Sequence, residues 1–229
     1  MGHWGLTGPQ FSALWARTGQ DRIPYPFRVT STLHTAAEYE AEQHRIRADF
    51  SGPRHDLLDS ALLVLAVPDV RIEISGSRGT DGQAPIRMMG AVARGHGVAA
   101  VQNPDSAVVI RSCEPYDVAR QLIAQLPDVE AGSAQGIVFA RHEDATTGHA
   151  RLATRILSRP ATGQGIVTVT RGTRHRPKPV GGLAWRDIED DGRYLVWGDT
   201  NVAVEPGTSW DLLSAVNRLT GPIAAGHPV

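Results

Sequence analysis

One short stretch of the chain concentrates residue types that bind metal ions. His142, Glu143 and Asp144 are consecutive, and His149 follows seven residues after the first histidine. Zinc-hydrolase helices place their two histidines four residues apart, so that both leave one face of the helix beside a glutamate. The longer spacing, which crosses threonines and a glycine, favours a solvated loop instead. A small metal-dependent hydrolase that uses the region from His142 to His149 therefore stands as the enzymatic alternative.

Two other positions resemble fragments of catalytic sites. His55 and Asp56 place an imidazole beside a carboxylate, but sequence neighbours on a helix point in different directions. Polar residues are also common in the first turn of a helix, where this pair falls. Cys113 lies beside Glu114, whose negative charge raises the pKa of a thiol and so does not activate it. Since no serine lies in a Gly-x-Ser-x-Gly elbow, we expect no catalytic residue, no cofactor and no enzyme.

Phosphate and nucleic-acid sites are disfavoured for related reasons. The run Gly76-Ser77-Arg78-Gly79 follows a strand pattern but leads into another strand, so it lacks the helix amino terminus that binds phosphate. The segment from Arg171 to Lys178 holds four of the 23 basic residues, yet the net charge of the chain is −1. Domains that bind nucleic acids usually carry a clear basic excess. A nucleic-acid-binding module that uses Arg171 to Lys178 is the third hypothesis.

The bulk composition is that of a globular protein. Of 229 residues, 41% are hydrophobic and 21% are charged, and a single cysteine allows no internal disulfide. The longest apolar run, residues 61–67, is far shorter than the roughly 20 residues that a bilayer span needs. The amino terminus has no basic region followed by an apolar one, which is the pattern of a signal peptide. We expect a soluble cytoplasmic protein that does not enter a membrane.

The elements that must position these residues can be predicted from apolar spacing. Recurrence at three and four residues predicts helices over residues 9–18, 35–50 and 53–67. After Pro68 the apolar period becomes two, which predicts four strands within residues 70–112 and a helix over 116–126. The same order of four strands and one helix returns between residues 166 and 219. In each copy a Glu-Pro pair, Glu114-Pro115 or Glu205-Pro206, stands between the last strand and the helix.

The repeated order predicts an α+β fold built from two meander–helix units. Its segments are amino-terminal helices over 1–68, a first half-unit over 69–127, a connecting segment over 128–164 and a second half-unit over 165–221. Two units of this kind can join their edge strands into one sheet. The central sheet is then mostly antiparallel, with flanking helices and a quasi-twofold axis.

This arrangement resembles the EspG family, which are cytosolic chaperones of type VII (ESX) secretion systems. The likeness covers most of the chain, and the stretches that carry it are Ile23-Pro24-Tyr25-Pro26-Phe27, the helix and strand within 57–74, Met89-Gly90-Ala91-Val92-Ala93-Arg94-Gly95, the strand-to-helix passage within 110–127, Trp185-Arg186-Asp187, Gly192-Arg193-Tyr194-Leu195-Val196 and the Glu205-Pro206 helix. One departure is the middle of the chain, where residues 144–163 leave room for only one short helix and not the usual longer insertion.

The resemblance implies a single EspG-like domain over residues 1–229 with a non-enzymatic role. Such a protein binds helical secretion substrates of the PE–PPE kind and keeps them soluble for export. The resemblance places client contact at the long loop of each half-unit, and the residues expected to take part are Arg78, Asp81, Gln83, Arg174, Arg176 and Lys178. It implies no cofactor, and the sequence leaves open whether the protein forms a homodimer.

Overall fold

A ten-stranded antiparallel sheet forms the centre of the computed structural model, which describes residues 2–79, 82, 84–172 and 176–221. The strands are β1 (His3–Leu6), β2 (Val70–Arg78), β3 (Ala84–Ala93), β4 (His96–Gln102), β5 (Val108–Cys113), β6 (Ile137–Ala140), β7 (Ala161–Arg171), β8 (Lys178–Ile188), β9 (Gly192–Trp197) and β10 (Asn201–Pro206). The helices are α1 (Gly8–Ala16), α2 (Ala36–Asp49), α3 (Asp56–Ala66), α4 (Val118–Ile123), α5 (Gly148–Leu157) and α6 (Ser209–Thr220).

The strand order shows how the two meanders join. It runs β1-β5-β4-β3-β2-β7-β8-β9-β10-β6, so β2 and β7 lie side by side at the centre. These two strands pair from Val70 opposite Arg171 to Arg78 opposite Gly163. Each half then proceeds outward strand by strand and ends in a helix, α4 after β5 and α6 after β10. The predicted α+β fold with a quasi-twofold central sheet is confirmed.

The two faces of the sheet are covered differently. On the first face, α4 and α6 contact each other and pack on the middle strands of both halves, over a core that includes Ile72, Ile74, Val167, Leu183 and Trp185. On the opposite face, α3 lies on β3, β4 and β5 with α1 beside it, and α5 packs beside β6 over the apolar residues of β9 and β10. The helices of the opposite face thus cover the two flanks of the sheet.

Local sequence explains where several elements begin and turn. Capping boxes at Thr7, Thr35 and Thr208 start α1, α2 and α6, because each threonine accepts the N–H of a residue whose own side chain bonds back. The hairpin between β3 and β4 turns at Arg94-Gly95, where both residues have positive φ angles of 51° and 78°. This pair of angles matches the right-handed twist of a two-residue hairpin, and glycine adopts its angle without strain.

Most elements lie within a few residues of their predicted positions, with clear exceptions. The strand His3–Leu6, which pairs with β5 at one edge of the sheet, was not predicted. The helix expected over 116–126 is shorter, because a 3₁₀ turn at Pro115–Asp117 precedes Val118–Ile123. The strand expected from residue 166 begins at Ala161. None of the helices that the structure describes has the length and apolar character needed to cross a bilayer.

Candidate functional site

An open trough lies on the sheet face opposite the α4–α6 pair, between the flanks that the other helices cover. Six side chains from β2, β7 and β8 line it on this face: Ser75, Ser77, Gln164, Ile166, Ala184 and Arg186. They share one side because alternate residues of a strand point the same way and the registers align them in two rows. We call this surface, with a volume of about 480 Å³, the central trough.

The walls of the trough come from segments outside the three strands. Leu157 at the end of α5 and Val196 of β9 line the cavity. Tyr25, in the connection between α1 and α2, does not line it but bonds its hydroxyl to Oγ of the lining residue Ser75 at 2.6 Å. The trough is therefore assembled from both half-sheets and the connecting segment, and the amino-terminal segment contacts it at Ser75.

The centre of the trough is apolar. Ile166 lies opposite Ser75 on one side and Ala184 on the other, and 55% of its surface is exposed. Its neighbours on the same side of β7 are the polar residues Gln164 and Thr168. An exposed isoleucine on an otherwise polar strand face gains about 25 cal/mol for each Å² that a partner covers. This side chain is thus a natural contact for an apolar group.

Charged groups lie toward both ends of the same face. Arg71 and Glu73 of β2 form an ion pair at 3.6 Å, and burial raises the pKa of Glu73 while Arg71 opposes the rise. At the other end, Gln164 lies two residues before Ile166 on β7 and opposite Arg186 of β8. The guanidinium of Arg186 bonds the side-chain oxygen of Gln164 and donates to Arg159 O at 2.9 Å. A partner that enters the trough therefore meets an apolar centre between polar ends.

The three described residues among those expected to contact a client lie at opposite ends of the sheet. Arg78 is exposed at the end of β2, opposite Ala84 and Gly163, and the alternation of β2 puts its side chain on the α4–α6 face. Arg176 and Lys178 are exposed beside the start of β8. Asp81, Gln83 and Arg174 lie outside the described residues. Because β2 is about 27 Å long at roughly 3.3 Å per residue, Arg78 is too far from Arg176 and Lys178 to share a compact site with them.

The side chains that suggested metal chemistry have structural partners. Glu143 Oε1 accepts the backbone N–H of Ala150 at 3.1 Å near the start of α5, and Asp144 accepts from the backbone and hydroxyl of Thr146. These hydrogen bonds lower the pKa of Asp144. Within the described ranges, no three His, Cys, Asp or Glu side chains come together in a way that could hold a metal ion. The hypothesis of a metal-dependent hydrolase receives no supporting geometry from these contacts.

The remaining chemical candidates also have ordinary roles. His55 accepts a hydrogen bond from Arg54 at 2.9 Å and packs on Phe50 just before α3, which confirms that this segment begins a helix. Burial, with Asp117 and Glu114 nearby, raises the pKa of the Cys113 thiol to about 11, so the expected direction is confirmed. Arg171 donates to the carbonyl of Thr220 at the end of α6, 2.8 Å away.

Sequence reasoning missed the residues of the central trough. Ile166 carried a usable signal, since it is the one apolar residue among Gln164, Thr168 and Thr170 on its side of β7. Arg186 carried none, because an arginine between Trp185 and Asp187 looks like any outward strand residue. Whether a trough forms above them depends on how far α1–α3 and α5 extend over the sheet. That extent is set by packing between distant segments.

The fold and the trough define an α+β scaffold with an open trough across the junction of two repeated half-sheets. The EspG family model matches residues 7–218, and the chain belongs to this family. Among solved structures, the chain is similar to the type VII secretion system chaperone EspG5 of Mycobacterium tuberculosis, determined in complex with a PE25–PPE41 dimer. The TM-score is 0.67 at 15% identity, and the match covers 94% of each chain. A search of curated proteins finds no significant match.

Proposed function

We propose that this protein is a cytosolic chaperone that binds helical PE–PPE-type secretion substrates for a type VII secretion system. Residues 1–229 act as one domain in this role, and the protein has no catalytic function. The observation that carries the proposal is membership of the EspG family over residues 7–218. The similar EspG5 chain was captured with a PE25–PPE41 dimer, which supports the same class of client here.

The dimensions of the central trough support binding of a helix end. Neighbouring strands lie about 4.8 Å apart, so β2, β7 and β8 together span about 10 Å. An α-helix with its side chains is about 10–12 Å across. A volume of about 480 Å³ admits a few side chains and not a whole helix. We therefore place the tip of a client helix, or of a helical pair, on the trough, with Ile166 at the centre of contact.

The physical role of such binding is to hide apolar surface. Long helical proteins with exposed apolar ends aggregate unless those ends are covered. Coverage by Ile166 and the apolar parts of Ala184 and Leu157 removes part of that surface from water. The walls and loops around the trough add the remaining area that a specific complex requires, about 1,200 Å² or more in total.

The test is capture of a client from the native host. Tagged full-length protein is expected to recover a helical PE–PPE-type pair, and Ile166→Asp is expected to weaken recovery at least tenfold because it puts a charge in the apolar contact. Val138→Asp is the matched control, since Val138 is equally exposed, at 54%, on the distant strand β6. Recovery of no helical client contradicts the proposed function. Equal losses for the two variants contradict the location.

A further inference from the structure

Arg186 is a partly buried cation with no anionic partner in the described part of the chain. Its terminal nitrogens bond two uncharged oxygens, on Gln164 and on the backbone of Arg159. Its Nε is buried and has no hydrogen-bond partner. The salt bridges of the described residues do not include it. Since a guanidinium with a fixed position and no counter-charge is costly to desolvate, its position invites a carboxylate.

Two neighbouring carboxylates, Asp187 and Asp191, are held by other partners. Asp187 lies on the other face of the sheet and pairs with Arg193 at 2.6 Å. Asp191 pairs with Arg159 and also accepts from Ser133 and Tyr194. Neither of these two described carboxylates is therefore available to Arg186.

We propose that Arg186 determines client specificity by pairing with an aspartate or glutamate at the end of the client. This inference rests on the proposed function, and it adds the chemistry that the client must present. Ile166 and Arg186 are diagonal neighbours on the same face, with Cβ atoms about 7–8 Å apart. Residues three or four apart on a helix have Cβ atoms about 5–6 Å apart, and the arginine side chain spans the difference.

The client surface that matches this geometry has one apolar and one acidic residue about one helical turn apart. The apolar side chain covers Ile166, and the carboxylate meets the terminal nitrogens of Arg186 at the adjoining row. Part of the charge is shielded by the trough, so the pair is stronger than one fully in water. A client with a basic residue at that position is rejected because two cations would be forced together.

The test uses the full-length protein and the PE–PPE-type pair that it captures. Arg186→Gln is expected to raise the Kd at least tenfold and to make binding less sensitive to salt, since one ion pair is lost. Arg111→Gln, at an exposed position on β5, is the control and is expected to bind as the unaltered protein does. Arg186→Glu is expected to regain affinity when the client's tip carboxylate is replaced by lysine.

The outcomes separate the two proposals. If the unaltered protein binds the pair and Arg186→Gln binds equally well, Arg186 is a structural residue and this inference is overturned while the proposed function stands. The same holds if Arg186→Gln only lowers the melting temperature of the free protein. If the unaltered protein captures no PE–PPE-type pair, both proposals fail. Recovery by the charge-swapped pair supports the inference in a way that a structural role does not.

Discussion

The two halves of the sheet place opposite chemistry at equivalent positions. In the first half Gly97 lies opposite Val92, and in the second half Arg193 lies opposite Asp187. The ladder between β2 and β7 has its midpoint at Ile74 opposite Val167. Val92 pairs with Val70, four residues before Ile74, and Asp187 pairs with Gly163, four residues before Val167. Val92 and Asp187 therefore occupy equivalent positions in the two halves. The first half therefore has a glycine and a valine at the two positions where the second half has a buried ion pair.

This difference changes how the helices are attached to the sheet. Val118 of α4 packs directly above Gly97, where an added Cβ would lie 2.7 Å from its Cγ2. Arg193 is fully buried and instead donates to Ser209 at the start of α6 and to the carbonyl of Pro127 after α4, at 2.8 and 3.0 Å. One half thus holds its helix by close apolar contact, and the other holds two helices through one guanidinium. The same topology is stabilised in two ways.

The register also revises the letter match between the two strand–helix junctions. With Gly97 equivalent to Arg193, the ladders make Glu114 equivalent to Thr208. The two Glu-Pro pairs are consequently offset by three residues, so they are not structural counterparts. The repeat rests on the order and pairing of its strands.

The largest effect that tests this comparison is expected at the buried ion pair. Asp187→Ala leaves the fully buried guanidinium of Arg193 without its carboxylate, and we expect a loss of about 3–5 kcal/mol in the free energy of unfolding. Urea unfolding measures this loss. The double variant Asp187→Val with Arg193→Met, which gives β8 the valine of the first half, is expected to lose less than the sum of the single variants by at least about 1 kcal/mol. Additive losses would mean that the two charges do not act as a pair.

A smaller effect is expected where the first half relies on a missing side chain. The Cβ that Gly97→Ala adds would lie 2.7–2.9 Å from Val118 and from the carbonyl oxygens of Cys113 and Glu114, so the helix must move. We expect destabilisation of about 1–3 kcal/mol. Gly5→Ala on β1 is the control, because no atom lies within 4 Å of the added Cβ. Equal unfolding midpoints for the two variants would show that α4 does not depend on close approach at Gly97.

The helix starts offer a third contrast between equivalent residues. Thr208 Oγ1 accepts the N–H of Asp211 in a capping box, whereas Glu114 before the 3₁₀ turn makes no side-chain cap. Thr208→Ala is expected to cost about 1 kcal/mol, and Glu114→Ala less than about 0.5 kcal/mol. Thermal unfolding of the two variants under one condition decides the point. A larger loss for Glu114→Ala would reverse the assigned roles.

The last prediction concerns acid sensitivity and involves the second half-unit together with the connecting segment. The backbone N–H of Ser133 donates to Asp191 at 2.7 Å, and with Tyr194 and Arg159 it holds the pKa of Asp191 at about 2, below its ordinary 3.8. A carboxyl group with a lowered pKa stabilises the fold above pH 3.8, and this contribution is lost as the pH falls toward 2. The urea midpoint of Asp191→Asn should therefore fall less between pH 4.5 and pH 2.5 than that of the unaltered protein.

Asp190→Asn is the control for acid sensitivity. Asp190 occupies the neighbouring turn position with a φ angle of 56°, which asparagine tolerates. It should retain the pH dependence of the unaltered protein. If the pH profile of Asp191→Asn matches that of this control, the hydrogen bonds and ion pair of Asp191 do not contribute to stability in acid.

Apolar periodicity was enough to predict the order of most strands and helices. Val70, Ile72 and Ile74 alternate with charged residues, so both the strand and its buried face follow from local sequence. The His3–Leu6 strand is four residues long and contains a glycine, which leaves too little alternation to detect. It adopts the strand conformation because it pairs with β5 at the edge of the sheet. The local sequence does not indicate that this edge is available.

The site was harder to predict than the fold because the trough lies where the helices leave the sheet uncovered. The trough exists where α3 and α5 stop, and no local pattern near Ile166 or Arg186 records those limits. The buried pair had a partial signal, since Asp187 shares its strand face with Leu183 and Trp185 of the core. A charged residue on an apolar face calls for a partner, but the partner Arg193 is identified only by the register of β8 and β9.

The pairing of β2 with β7 also sets when the trough can appear during protein synthesis. Ile74 and Val167 meet at the centre of that ladder, although 93 residues separate them. At a synthesis rate of roughly 5–20 residues per second, about 5–20 s pass between the synthesis of β2 and that of its neighbour β7. Arg71 and Glu73 give that waiting strand charges of the kind that discourage wrong pairing. A nascent chain that stops before β7 has no central trough, because β7 and β8 form two of its three strands.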